Sequence, residues 1–312
     1  RIDWRDPLLK KMCILAIPLL IGIFVSESRD IFLKRLADDP GIAVEGSRAA
    51  LKFSSLIGSS LIQIFPYALS IGIFPYLADM ARQKDKQPLT DTFIGALRVC
   101  VFTFAPLTAI LIALHAPLLR AVWESGELSR ADTIVLALPF IFYTLGLIGF
   151  SCEMIINQTF YAMTNVWTPT LVGLGTTVLW MTVAYFGVQF GGPAGWGLAA
   201  LAGAESFSKS AKCLIMWTML RRDLGYINAR ENWAFFGKIA IASCVGALVA
   251  WFIGHNFSPV TEVLTRWDKI KILLSVSFGG CSGLAAFGIV CRMLRVREVQ
   301  QLLDFIAKKQ EK

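Results

Sequence analysis

Residues 235–254 read FFGKIAIASCVGALVAWFIG, twenty positions that carry a single charge, Lys238. A helix rises 1.5 Å per residue, so about 20 apolar residues match the ~30 Å hydrocarbon layer of a bilayer. Working outward from this run, seven more of similar character appear, and the full set is 12–32, 48–77, 95–117, 133–161, 167–189, 194–219, 235–254 and 271–291. The connections Asp38–Gly46, Gln83–Asp91 and His255–Lys269 concentrate the Pro, Gly, Asp and Lys that punctuate helices. Lipid offers no hydrogen-bond partner to an open backbone, so each run is expected to be a helix. The predicted fold is all-α, a polytopic membrane helical bundle of about eight transmembrane helices.

Composition agrees with that reading. Of 312 residues 55% are hydrophobic and 17% charged, and the mean hydropathy is +0.61. Soluble domains carry about 25% charged residues. A water-soluble enzyme is therefore excluded, and so is a disordered chain, because 22 Phe and 9 Trp are spread through the runs. The 30 Lys and Arg give a net charge of +8, but they lie mostly in short loops. That placement reads as membrane topology and attraction to anionic membrane lipids, with no nucleic-acid partner. Seven Cys without a C-x-x-C pair and only two His give a metal or cofactor site no material. No P-loop, GxGxxG, HExxH or GxSxG motif is present, which leaves ATP-driven transport and hydrolysis without a basis, and the chain is read as no enzyme.

Placing the N-terminus inside puts Arg1, Arg5, Lys10, Lys11, Arg82, Lys84, Lys86, Arg221, Arg222, Arg230, Lys238 and the tail from Arg292 on one side. Both termini are thus predicted cytoplasmic. The first run follows a basic stretch, yet its length and the lack of an A-x-A-like cleavage site make it a span rather than a signal peptide. In the tail, Val296, Val299, Leu302, Leu303 and Ile306 recur at helical spacing. A surface-lying amphipathic helix and a solvated tail both fit.

Charges inside spans are costly and therefore singled out. In the first run Glu27, Arg29, Asp30 and Lys34 occupy the outer third, with Glu27 three before Asp30 and Asp30 four before Lys34. They read either as a cavity wall or as a polar helix end. In the sixth run Glu205, Lys209 and Lys212 are spaced four and three apart, which aligns them on one stripe. An internal Glu–Lys pair with a second lysine facing a wet cavity would hold an anion; the alternative has both lysines snorkelling toward Arg221. Lys52 sits one turn inside the second run, where it either snorkels or faces the cavity. Ser54 with Gly58, and Ser55 with Ser59, form small-xxx-small pairs suited to close helix packing. Arg98 and the pair Glu153 and Asn157 read as isolated polar positions.

Several loop motifs carry a resemblance. Ala116 to Thr133 reads APLLRAVWESGELSRADT, similar to a pattern of proline, apolar pair, then F-x-x-G-x-F-x-x-x-D-T. Phe160 to Pro169 reads FYAMTNVWTP, similar to F-Y-A-x-x-D-T-x-T-P. Asp6 and Pro7, Ile17 and Pro18, Gly46 and Ser47, Phe74 to Leu77 and the glycines of Gly191 to Gly197 add support. Together these resemble the MurJ/MviN lipid II flippase family, within the larger multidrug, oligosaccharidyl-lipid and polysaccharide exporter group. The likeness corresponds to that family's C-terminal portion, roughly its spans seven to fourteen, so it implies a missing N-terminal lobe and a partial sequence starting at Arg1. It divides the chain into 1–225, a six-helix transporter lobe, and 226–312, two further helices with the tail.

The resemblance implies movement of a lipid-linked peptidoglycan precursor, a glycan diphosphate, across the bacterial cytoplasmic (inner) membrane through a cationic cavity. Where the family carries Y-A-D-R-L, this chain has Phe53, Ser54, Ser55 and Leu56, so Leu56 stands at the arginine position. On this basis Arg29, Lys52, Lys209 and Lys212 are expected to face the phosphates, with Glu27, Asp30 and Glu205 as counter-charges. Alternatives are a flippase for another lipid-linked polysaccharide, an ion-coupled drug exporter, or a transport-dead membrane scaffold or regulator.

Overall fold

The computed structural model describes residues 7–38, 47–124, 130–191, 196–256 and 266–296. They form ten α-helices, α1 (Pro7–Ala37), α2 (Ser47–Ala81), α3 (Gln87–Ala113), α4 (His115–Trp123), α5 (Arg130–Leu145), α6 (Leu147–Ala162), α7 (Trp167–Gly191), α8 (Trp196–Leu220), α9 (Ala229–Asn256) and α10 (Arg266–Met293). No strand occurs among the described residues. The amphipathic tail expected after Val296 lies outside them.

Six stretches among the described residues are long and apolar enough to cross a membrane: Ala49–Ala81, Gln87–Ala113, Thr133–Ala162, Trp167–Phe190, Ala229–Asn256 and Trp267–Met293. The two further spans read from the sequence correspond to α1 and α8. At 31 and 25 residues neither is short, since 25 residues rise about 37 Å. Both carry charges along their length. Glu205, Lys209 and Lys212 interrupt α8, and Glu27, Arg29, Asp30, Lys34 and Arg35 interrupt α1. These two helices border the cavity described below.

The run read as 133–161 is two helices, because the backbone breaks at Gly146. There Gly146 N–H donates to Tyr143 O at 3.1 Å rather than to the carbonyl four residues back. The carbonyl freed by the break, Phe142 O, accepts instead from Ser206 Oγ on α8 at 2.6 Å. A Cβ at residue 146 would run into that hydroxyl, so the break needs glycine and the close approach of α8 satisfies it.

Two cores lie at opposite ends of the bundle, and α2, α5 with α6, and α8 all run from the first to the second. One joins the end of α1, the start of α2, α4, α5, the end of α7 and the start of α8 around Leu119, Phe140 and Trp180. The other joins the end of α2, the start of α3, α6 and the end of α8 around Leu77, Phe93, Ile155 and Met216. Ser54 is buried and donates to Ala50 O and Leu136 O at 2.7 and 3.1 Å. The Ser54–Gly58 stripe thus packs α2 on α5 and α6, whereas Ser59 is exposed. The hairpin of α9 and α10 leans on α3 through Phe235, Ile239 and Phe287. Its two helices cross at Gly246 and Gly283, where a Cβ on either would lie 2.7 Å from the other's carbonyl oxygen.

Candidate functional site

A cavity of about 320 Å³ opens between α1, α7 and α8, with Tyr161 of α6 at its edge. Three cations line it: Arg29 from α1, and Lys209 and Lys212 from α8. Their spacing on α8 follows from the helix, as residues three apart share a face. Hydroxyls of Thr170, Thr176, Thr177 and Ser208 complete the polar lining, and Ser208 Oγ is turned toward Thr176 O at 2.7 Å.

The carboxylates stand behind these cations. Lys212 Nζ donates to Glu153 Oε1 at 2.6 Å, and Lys209 Nζ lies 3.6 Å from Glu153 Oε2. The Glu153 side chain is 7% exposed, so without its two lysines it would be a bare charge in a low-dielectric interior. Asn157 Nδ2 donates to the same Oε1 at 3.5 Å. Arg29 Nη2 pairs with Glu205 Oε2, and its guanidinium lies 4.6 Å from the Trp180 ring centroid. Neither Glu153 nor Glu205 lines the cavity. Cations lining the hollow and acids set back from it leave one positive charge in excess among these five side chains. Such a wall suits an anion.

The pairing differs from the one expected on α8. Glu205 and Lys209, four apart, do not pair with each other; Glu205 turns to Arg29 of α1, and Lys209 turns to Glu153 of α6. The physical reason is burial, since Glu153 has no water to solvate it and both α8 lysines are in reach. Lys212 also lies against α7, with Nζ 3.5 Å from where a Cβ of residue 173 would be.

Of the residues singled out in the sequence, Arg29, Lys209, Lys212 and Glu205 are brought together. Lys52, Glu27 and Asp30 are exposed and do not line the cavity. Lys52 is at the solvent- or lipid-facing surface of α2, where its long stem can snorkel. Glu153, read above as an isolated polar position, is instead the carboxylate that holds both lysines. The signal that finds it is cost: two lysines on one stripe within a span demand a counter-charge from another span. Arg98, also read as isolated, has its guanidinium on Asn232 Oδ1.

The motif FYAMTNVWTP makes the turn that feeds α7 past this cavity. Thr164 has φ 59°, and Asn165 Oδ1 accepts from Thr168 N–H at 3.1 Å, capping α7. A model of the family described as "Lipid II flippase MurJ" matches residues 1–266. The chain belongs to the MurJ lipid II flippase family.

Relatives of the MurJ family are distant in sequence. A probable lipid II flippase MurJ of Treponema pallidum is 21% identical over 289 residues, 89% of this chain and 52% of the relative. One from Vibrio cholerae is 24% identical over 252 residues, 79% of this chain and 46% of the relative. The chain therefore spans about half the length of the curated relatives it matches. Among solved structures, a lipid II flippase MurJ in an inward closed conformation superposes with a TM-score of 0.68 at 19% identity, over 89% of this chain and 54% of that one. An outward-facing multidrug resistance MATE transporter of the MOP superfamily superposes with a TM-score of 0.55 at 14% identity, over 92% of this chain and 66% of that one. The fold is thus that of a MurJ-type helical membrane transporter, and the chain is a multi-pass membrane protein.

Proposed function

We propose that this chain is the C-terminal part of a flippase that carries a lipid-linked peptidoglycan precursor across the bacterial cytoplasmic membrane, with both termini cytoplasmic. The observation that carries this reading is the three-cation wall: Arg29, Lys209 and Lys212 share one hollow while their carboxylate partners sit behind it. A diphosphate entering there exchanges water for charge-assisted hydrogen bonds in a low-dielectric site. The lipid tail stays in the bilayer while the headgroup crosses. In this reading Glu205 and Glu153 are the counter-charges, and Lys52 has no part in binding.

Leu56 stands where the family pattern has arginine, and cations on α1 and α8 supply the positive charge in its place. Rocking of two lobes about a site is how such transporters alternate access. A second lobe is therefore the partner that residues 1–225 require, and 226–312 add the α9–α10 hairpin.

The test is rescue of cells depleted of their own lipid II flippase by the full-length gene. Growth is expected with the natural sequence and lost with Lys209→Ala combined with Lys212→Ala. Failure of the natural gene to rescue, with the protein present in the membrane, overturns the reading in favour of another lipid-linked glycan or a scaffold.

A further inference from the structure

A second cationic hollow lies where α3, α9 and the end of α10 meet. It encloses about 190 Å³ and is lined by Arg98, Lys238 and Arg295 together with one acid, Glu231. Arg98 is fixed in place: its Nε and Nη2 donate to Asn232 Oδ1 at 3.0 and 2.7 Å, and its Cζ lies 5.4 Å from the Phe235 ring centroid. Glu231 Oε1 is 3.3 Å from Arg98 Nη2. Among the described lining residues one carboxylate stands with three cations.

The backbone puts the third cation there at a cost. After α10 ends at Met293, Arg295 N–H donates to Arg292 O and Val296 N–H to Cys291 O, at 3.1 and 3.0 Å. Arg295 has φ 50°, the left-handed conformation in which such helix ends usually place glycine. Val296 is 2% exposed and packs with Phe235 and Ile239. Burial of Val296 requires the turn; the turn alone would be better served by glycine. What arginine adds is a charge at the wall of the hollow, and strain of this kind points to function.

Two exposed amphipathic rings lie in the same stretch of chain as the hollow. Trp233, next to Asn232, is 75% exposed, and Tyr226 just before α9 is 77% exposed. Large amphipathic rings gather at the membrane–water boundary. Lys238, further along α9, lines the same hollow, and a lysine's aliphatic stem lets its charge reach a polar boundary from within a span.

We propose that the hollow binds the phosphodiester head of an anionic membrane lipid, fixing the end of the α9–α10 hairpin in the bilayer surface. The site is separate from the cavity between α1, α7 and α8 and independent of the flippase reading. The full chain, purified in neutral detergent, is incubated with phosphatidylglycerol, phosphatidylcholine or inorganic phosphate; bound lipid is read by native mass spectrometry and unfolding by thermal melting. Phosphatidylglycerol is retained, phosphatidylcholine is not, and inorganic phosphate does not displace the lipid. Lys238→Gln and Arg295→Gly each weaken retention about fivefold, the effect of one basic residue near a membrane surface. Arg295→Gly leaves the melting temperature in lipid-free detergent unchanged or raised, because glycine suits φ 50°. Unchanged retention in both variants, equal retention of phosphatidylcholine, or displacement by inorganic phosphate overturns the proposal.

Discussion

Glu153 Oε1 on α6 accepts a hydrogen bond from Lys212 Nζ on α8 at 2.6 Å, and Lys209 closes on the other carboxylate oxygen. One buried acid thereby holds two cavity cations from a neighbouring helix.

Removing that acid leaves two lysines without a counter-charge. Glu153→Gln is expected to destabilise the folded protein by about 3–5 kcal/mol, the range for breaking one side of a buried ion pair. Thermal unfolding in detergent measures this. Combining Glu153→Gln with Lys212→Met restores part of the loss, with a coupling of about 1–3 kcal/mol. Additive effects would show that the pair does not interact.

The cations differ in what they face, and binding should report it. Arg29→Ala, Lys209→Ala and Lys212→Ala each weaken binding of a lipid-linked diphosphate by about tenfold or more, the worth of a hydrogen bond to a charged group. Lys52→Ala, at the exposed surface of α2, changes it by less than about twofold. Titration of the purified protein with lipid II distinguishes the two classes. A Lys52→Ala defect as large as the others would place the phosphates elsewhere.

Most of the fold is legible in the sequence because bilayer thickness leaves a mark that needs no tertiary context: each long apolar run is helical, with a break at Gly146 in one of them. The charges on α1 and α8 were also visible as costly residues, and their spacing placed Lys209 and Lys212 on one face. Partners were not visible. Glu205 lies 176 residues from Arg29, and Glu153 lies 59 from Lys212, so nothing in local periodicity links them, and the i,i+4 rule pointed to Lys209 as the partner of Glu205. Gly146 was equally silent, because its role depends on Ser206 crossing from another helix.

That crossing gives a third expectation. Gly146→Ala forces a methyl group against Ser206 Oγ and is expected to cost about 1–3 kcal/mol, as overpacking does. Ser206→Ala costs about 1–3 kcal/mol for a different reason, the unpaired Phe142 carbonyl. The double variant loses less than the sum, because the smaller side chain makes room for the added methyl. Denaturation of the three proteins under one condition is the measurement; simple additivity would separate the break from the α8 contact.

The 312-residue chain alone, reconstituted in liposomes, is expected not to translocate a lipid-linked headgroup, since alternating access works by one lobe moving against another. A headgroup-accessibility assay with an impermeant reagent reads this directly. Translocation by the chain alone would mean that the cavity between α1, α7 and α8 suffices.

The recessed carboxylate of α6 bears also on how the protein is made. A charged side chain at mid-helix raises the cost of partitioning from the translocon into lipid by about 2.5–3.5 kcal/mol, and α8 carries three such side chains. Because α6 precedes α8 in the chain, the counter-charge for Lys209 and Lys212 is synthesised before them, and pairing with Glu153 offsets part of the cost of bringing α8 into the bilayer.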